Sequence, residues 1–501
     1  MKGLLNKQPF FYVLIFGLNK VQINYFRISH KTKKVKPFFK AVFTLLFTFI
    51  ILHSADAQFY QGSQMSFGKN RVQYTDFYWT FFRFKNYDVY NYVGGKELAT
   101  YVAEQAQNEM DVMERTLDYR SSSRFQIVIF NKLSDLKQTN IGLELDDQAY
   151  NIGGMTKVIG NKVLIYFDGN HQHLQEQIRA GMARALLEQL FYGGNIRERL
   201  QASILLNLPQ WYTQGLVTYL SKGWTPEDDN KLRDYIMTEK KPVLNKLIER
   251  DEVFAGQSLW HYIITTYGET SLSNLVYMTR INRSLESGFV FVLGVRLKQL
   301  SADWLSYHTK KYQEFEKNKF PIAATPLKVK EKNKIIYQVK TDPFGNRVSY
   351  VTNKRGRYKV KITDVKTGKR TCADKGGYVS LTTENDRSFP ITAWHPSGKI
   401  LAIVKEQKGN IILNLFNTET KKSDFSEIMS FSKILNMTYS PDGSKLLMSA
   451  VQKGQSDIYV FNVRGRNFDQ ITNDVYDDLY PQYDITGNKI IFSSNRSNDT
   501  L

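Results

Sequence analysis

The chain is nearly devoid of cysteine. Its 501 residues include one, Cys372. That excludes an intramolecular disulfide and any zinc site built on thiolates. No His–Asp context surrounds Cys372 in sequence, so it reads as a half-buried strand residue rather than a nucleophile. Histidine is scarce as well, with seven in the chain. There is no H-E-x-x-H, no G-x-S-x-G and no P-loop, which removes the readiest signatures of zinc peptidase, serine hydrolase and nucleotide-binding chemistry. Long apolar runs are missing: Ala41–Leu52 reaches 12 residues, too few for a helix to span a bilayer. Acidic residues are short of basic ones, 48 Asp and Glu against 68 Lys and Arg. No basic helix interleaved with aromatics accompanies that excess, so nucleic acid is not the expected partner. Anionic headgroups and acidic glycans remain compatible with the charge.

What is present begins with an export leader. Lys31, Lys33, Lys34, Lys36 and Lys40 precede the apolar run, and Ala55-Asp56-Ala57 supplies the small-x-small cleavage pattern. Residues 1–57 therefore read as a signal peptide region, with Gln58 the first mature residue. The thirty residues before the lysines are unusual for a leader and point to a start downstream of Met1. Residues 1–57 carry a net +8 of the chain's +20, so the remainder is still basic at +12. The expected location is the periplasm or the outer membrane, and the cleaved protein is not expected to be integral to a membrane.

The length calls for at least two domains. Lys96–Tyr119 carries Leu98, Val102, Ala106, Met110, Met113 and Leu117 at helical steps, whereas Phe125–Phe130 and Lys162–Phe167 read as strands. Helices are expected over Leu174–Phe191 and Trp211–Leu220, and several more between Ser258 and Phe315. Residues 58–320 thus form an α+β domain, strands early and helices late, with no period visible over 58–95. Residues 321–335, with two prolines and alternating lysines, read as a solvated linker.

Beyond the linker a repeat takes over. Asp342-Pro-Phe-Gly, His395-Pro-Ser-Gly, Ser440-Pro-Asp-Gly and Asp484-Ile-Thr-Gly place glycines at 345, 398, 443 and 487, spaced 53, 45 and 44 residues apart. Each turn is followed by an apolar run, and later by an alternating one such as Asp457-Ile-Tyr-Val. A period of ~40–50 residues with several short strands per unit is that of a propeller blade. Gly supplies the positive φ of the turn. The strand after it is apolar because it lies between blades, while the Asp457-Ile-Tyr-Val strand is expected to alternate its two faces. His395 occupies a turn position and reads as structural.

Ser440-Pro-Asp-Gly-Ser-Lys, Ser456-Asp-Ile-Tyr, Gln470-Ile-Thr-Asn and Phe492-Ser-Ser-Asn-Arg-Ser resemble the TolB-type propeller repeat. The resemblance covers residues 336–501 and implies envelope work through protein partners, such as protein transport or outer-membrane maintenance. About three and a half blades are legible where that family generally has six, so the propeller is read as incomplete in this chain. The chain is expected to be truncated or to close with another chain.

A second resemblance covers about 96–320. Leu208-Pro-Gln-Trp-Tyr-Thr-Gln-Gly-Leu-Val-Thr-Tyr is similar to the Leu-Pro-x-Trp-x-x-Glu-Gly-Leu-Ala-x-Tyr segment of gluzincin metallopeptidases of the peptidase MA type. Their zinc is held by two His at i and i+4 on an upstream helix and by a Glu on a second, with a Glu base between the two His. By that resemblance the His positions fall on Ala180 and Arg184, the base on Gly181 and the third ligand on Gln214. All four are lost, so the resemblance implies the zincin-like fold without its activity. No residue is assigned a catalytic, cofactor-binding or metal-binding role. His171 and His173 could hold a metal on a loop but read as a solvated pair, and Glu144, Asp146 and Asp147 read as a solvated loop. Trp211 reads as core.

The expected fold is thus multidomain: an α+β domain, zincin-like by resemblance and mainly helical in its second half, followed by an all-β propeller. The expected function is non-catalytic protein interaction in the cell envelope. Two alternatives stay open: the N-terminal part of a propeller-containing serine peptidase or other hydrolase, and a glycan- or peptidoglycan-binding module.

Overall fold

The computed structural model describes residues 72–121, 123–139, 157–159, 162–193, 206–317, 319, 327, 331–378 and 387–496. Residues 1–57, read as an export leader, residues 144–147, read as a solvated loop, and most of the expected 321–335 linker lie outside them.

The first lobe is built on a five-stranded mixed sheet. Strands β1 (Thr80–Arg83), β2 (Tyr87–Asn91), β3 (Phe125–Phe130), β4 (Lys157–Ile159) and β5 (Lys162–Tyr166) lie in the order β1-β2-β3-β5-β4. The central pairs β2/β3 and β3/β5 are parallel, while β1 and β4 run antiparallel at the edges. Helix α1 (Lys96–Leu117) follows β2 as the crossover that a parallel pair requires, and buries its Leu98, Val102, Ala106, Met110 and Met113 stripe. The strands β1 and β2 fall where no period was visible: β1 is largely exposed, and β2 buries both faces through Tyr87, Asp88 and Val89. Neither presents an alternating pattern.

Helices make up the rest of this lobe. After α2 (Leu133–Leu136) come α3 (His171–Tyr192), α4 (Gln210–Lys222), α5 (Pro226–Thr238), α6 (Leu244–Arg250) and α7 (Glu252–Tyr267). The last three are α8 (Thr270–Asn282), α9 (Leu285–Leu293) and α10 (Leu297–Glu316). Helix α5 opens with a capping box between Thr225 and Asp228 and a proline in its first turn, which satisfies orphan N–H groups and presets φ. Helices α4 and α7 cross at two glycines: a Cβ on Gly256 would collide with the Trp211 carbonyl, and one on Gly215 with Gly256 itself. Trp211 is buried, Trp260 donates its indole N–H to the Tyr212 carbonyl at 2.9 Å, and both belong to the core. No helix among the described residues is long and apolar enough to cross a membrane.

The second lobe consists of antiparallel meanders. Blade 1 is β6 (Ile335–Thr341), β7 (Arg347–Lys354), β8 (Arg357–Asp364) and β9 (Arg370–Gly376). Blade 2 is β10 (Ile391–Trp394), β11 (Ile400–Gln407), β12 (Asn410–Asn417) and β13 (Lys422–Met429). Blade 3 is β14 (Lys433–Tyr439), β15 (Lys445–Gln452), β16 (Gln455–Asn462) and β17 (Asn467–Gln470). A two-stranded sheet, β18 (Asp478–Tyr483) and β19 (Ile490–Ser494), completes the described part.

The apolar strand of each blade works by alternation. In β11, Leu401 and Ile403 join Val351, Val360 and Ile362 of blade 1, while Ala402 and Val404 join Met437, Leu446 and Met448 of blade 3. In blade 3, Leu447, Ile458 and Val460 pack against Tyr483, Ile490 and Phe492. Successive side chains point to opposite faces, so each of these strands contributes to two cores. The Asp457-Ile-Tyr-Val strand alternates its faces as expected, Ile458 and Val460 entering one core and Tyr459 and Phe461 the other, and β16 is buried from Ser456 through Phe461 because blade 3 has neighbours on both sides.

Lys340 of β6 ties the first strands together. Its half-buried ammonium donates to the Thr392 carbonyl at 2.6 Å and the Met437 carbonyl at 3.4 Å, and its own carbonyl accepts from the Trp394 indole at 3.2 Å. Burial lowers the pKa of this lysine.

Candidate functional site

Each blade turn closes by the same hydrogen bond: the glycine N–H donates to the carbonyl three residues before it, at Asp342, His395, Ser440 and Asp484. The four glycines have φ of 68°, 69°, 76° and 75°. The turns also touch in series. Phe344 lies against Gly398, His395 against Gly443, and Pro441 against Gly487. His395 is structural, as its turn position implied: its ring stacks edge-on to Tyr439 with centroids 5.0 Å apart, and Nδ1 is 2.8 Å from Ser397 Oγ. Arg347 links blades 1 and 2 from the same side, donating to Asp342 Oδ2 at 3.2 Å, Thr418 Oγ1 at 3.0 Å and the Gly398 carbonyl at 2.6 Å.

The opposite ends of these strands carry the first lobe. Lys132 donates to the carbonyl of Gly409, at the β11–β12 hairpin tip, at 2.8 Å. Ser456, just past the β15–β16 tip, donates to the Gly169 carbonyl at 2.6 Å. At the start of α3, the His171 backbone N–H donates to Asp477 Oδ2 at 2.7 Å and its Nδ1 lies 2.8 Å from Oδ1. Val451 is part of the first lobe's core, with Leu435 packed against it. The expectation of a solvated His171/His173 loop pair is therefore corrected. Both residues sit in the first turn of a helix capped by Asn170. His171 is largely buried against the propeller, and His173 faces Asp168 at 3.0 Å, a hydrogen bond that raises the pKa of its imidazole.

The motif Ser456-Asp457 interlocks with Gln470-Ile-Thr472. Thr472 Oγ1 donates to Asp457 Oδ1 at 3.2 Å and Gln470 Nε2 to Oδ2 at 3.2 Å. Burial pushes the Asp457 carboxyl up to about 6 against those hydrogen bonds. Arg496 of the Ser-Ser-Asn-Arg motif holds Asp478 with two bonds of 3.0 and 2.9 Å and also pairs with Asp474.

In the first lobe the four positions singled out by the gluzincin resemblance lie on α3 and α4. Ala180 and Gly181 are buried within α3, and Ala180 belongs to the core. Arg184 and Gln214 are brought together: Arg184 Nη1 donates to Gln214 Oε1 at 3.3 Å, and Nε donates to Glu188 at 3.1 Å. A guanidinium and a neutral amide do not fit a zinc ion, which takes imidazole, thiolate or carboxylate. Among the described residues no three of His, Cys, Asp and Glu converge as a metal site. Five residues before Arg184, Arg179 makes a two-pronged ion pair with the buried Glu109 of α1, at 2.7 and 2.8 Å, and donates to the Ser221 carbonyl at 2.9 Å.

Sequence reasoning missed two clusters. The His171–Asp477 contact joins residues 306 apart, with no local signal. The second pins the chain before β1. Tyr92 donates to Asp135 at 2.5 Å, and Gln138 Oε1 accepts from the backbone N–H groups of Tyr74 and Thr75 at 3.0 and 2.9 Å. Burial raises the pKa of both Tyr92 and Asp135. Cys372 is in β9 as expected, but its side chain is exposed rather than half-buried.

Residues 344–500 match PD40, the TolB beta propeller domain, so the C-terminal part of the chain is a propeller domain of that kind. Solved structures similar to the chain include TolB from Acinetobacter baumannii, at 17% identity and a TM-score of 0.26, over 32% of this chain and 37% of that one. A putative TolB from Agrobacterium tumefaciens is also similar, at 17% identity and a TM-score of 0.21, over 32% of this chain and 70% of that one. So is hydrazine synthase from Kuenenia stuttgartiensis, at 13% identity and a TM-score of 0.24, over 31% of this chain and 48% of that one. The chain thus spans less than half the length of two of these three.

Proposed function

We propose that this is a non-catalytic protein of the cell envelope that works by binding other envelope proteins, in the manner of a TolB-type propeller. The observation that carries the reading is the PD40 match over residues 344–500. It coincides with meanders whose turns touch one another along one side while the first lobe occupies the other. A row of turns on a rigid meander is a surface suited to macromolecular recognition. The leader at residues 1–57 supports export to the periplasm or the outer membrane. A part in protein transport or outer-membrane maintenance is the finer form of the proposal.

The first lobe is a peptidase-like scaffold without its chemistry in this reading. The support is Arg184 against Gln214 at the positions where the resembled family holds zinc. The test is affinity purification of the tagged full chain from cross-linked envelopes. Reproducible enrichment of particular envelope proteins, lost when the Phe344, His395 and Pro441 turns are substituted together, is the expected outcome. Equal recovery with that variant overturns the reading.

A further inference from the structure

The cations of blade 1 are paired unevenly. The buried Glu331 carboxylate takes Lys334 at 2.6 Å, Lys361, and Arg370 at 3.7 Å. Asp342 takes Arg347 at 3.2 Å, and Asp374 takes Lys405 at 3.1 Å. Around the β7–β8 hairpin this pairing stops. Lys354, Arg355, Arg357, Lys359 and Lys375, beside the Glu331-paired Lys334, line one cavity of about 700 Å³ with no acidic residue among the described residues of its wall. Among the described residues none of the five forms an ion pair.

At its margin Tyr358 turns its ring the other way, against the core between blades 1 and 2, and its hydroxyl lies over Gly376, where any Cβ would collide with it. The side-chain alternation of β9 sends Asp374 to Lys405 and Tyr358 on one face and leaves Lys375 on the other. The only carboxylate of that strand is thereby turned away from the cavity.

Five like charges gathered in one concavity raise its potential and concentrate counter-anions. A single carboxylate would leave most of that charge unanswered. A phosphate monoester carries about −1.5 to −2 and three acceptor oxygens, and arginine meets it with two parallel N–H donors. The volume is that of a small-molecule site. Its described lining residues include no row of aromatic rings, the successive stacking platforms that single-stranded nucleic acid uses. We propose that this cavity binds a small molecule bearing two or more phosphate groups, presented either free or as a lipid headgroup.

The test uses the full chain and two probes of the same chemistry. These are inositol 1,4,5-trisphosphate in solution, and phosphatidylcholine vesicles containing phosphatidylinositol 4,5-bisphosphate. Saturable one-to-one binding of at least one probe is expected, weakened at least about tenfold by Lys354→Glu with Lys375→Glu, which exchanges exposed side chains on a hairpin and an edge strand. The charge-matched pair Lys366→Glu with Lys489→Glu, away from the cavity, leaves affinity unchanged. Tighter binding to vesicles points to a lipid source; equal or tighter binding of the free probe points to a soluble one. The proposal is overturned by non-saturable binding or by equal loss in the charge-matched variant. Sulfate competing as well as inositol 1,4,5-trisphosphate, or a single-stranded oligonucleotide binding more tightly, overturns it too.

Discussion

Arg184 and Gln214 meet across the α3–α4 crossing, guanidinium to amide oxygen, at 3.3 Å. Both are buried, and Glu188 accepts the other arm of the arginine. Truncating Arg184 to Ala leaves polar groups with fewer partners and is expected to destabilise the protein by roughly 1–3 kcal/mol in urea unfolding. The same pair sets an expectation for metal content: the purified chain, incubated with zinc and dialysed, retains none in stoichiometric amount by elemental analysis. A one-to-one zinc content would remove the non-catalytic reading of this lobe.

Gly443 answers two demands at once. Its φ is +76°, and a Cβ there would collide with His395 Nε2 from the preceding blade. Gly443→Ala is therefore expected to cost about 1–3 kcal/mol, from left-handed backbone and from contact. In the double variant with His395→Ala the contact part disappears and the backbone part stays. Thermal unfolding of the three variants separates the two.

The joint between the lobes rests on Asp477, whose two oxygens serve His171 N–H and Nδ1. Asp477→Ala leaves both without that acceptor. Hydrogen exchange is expected to speed up at 169–173 and 454–456 and to stay unchanged in β7. Uniform acceleration would mean that the substitution unfolds the propeller instead of loosening the joint.

His308 of α10 is fully buried, and neither ring nitrogen has a hydrogen-bond partner. Burial, followed by Lys311 and His261, lowers its pKa to about 3, with Asp229 opposing. The imidazole is thus neutral in the folded chain and protonates near 6.5 when unfolded. Below about 6.5 the unfolded state binds the extra proton, so stability falls as pH drops from 6.5 toward 3. His308→Phe, a close match in volume beside Trp304, Tyr307 and Tyr312, is expected to flatten that part of the pH–stability curve. A curve unchanged between pH 4 and 7 would sink the assignment.

The propeller was the most legible part of the chain because its information is local and repeated. The glycines at 345, 398, 443 and 487 fix turns by φ, and apolar runs such as Leu446–Met448 follow each at the same distance. Helices α1, α3 and α4 were legible from their stripes to within a few residues. Strand β1 was not, since an exposed edge strand of aromatic and basic residues carries no alternation. Helix α5 was missed although Thr225-Pro226-Glu-Asp228 holds its start signal. The burial of β16 depends on a second neighbour, which no window of sequence contains. At the site, the Arg184–Gln214 pair could be aligned in advance from a motif, whereas His171–Asp477 exists only once the lobes are docked.

The alternation in β11 has a mechanical reading. Leu401 and Ile403 belong to one core and Ala402 and Val404 to the next, so pulling blade 2 outward opens two cores together. Force applied at one blade is then shared by its neighbours, and the meander should yield in a single event rather than peel sheet by sheet. A partner that grips one turn would therefore tug on the whole row.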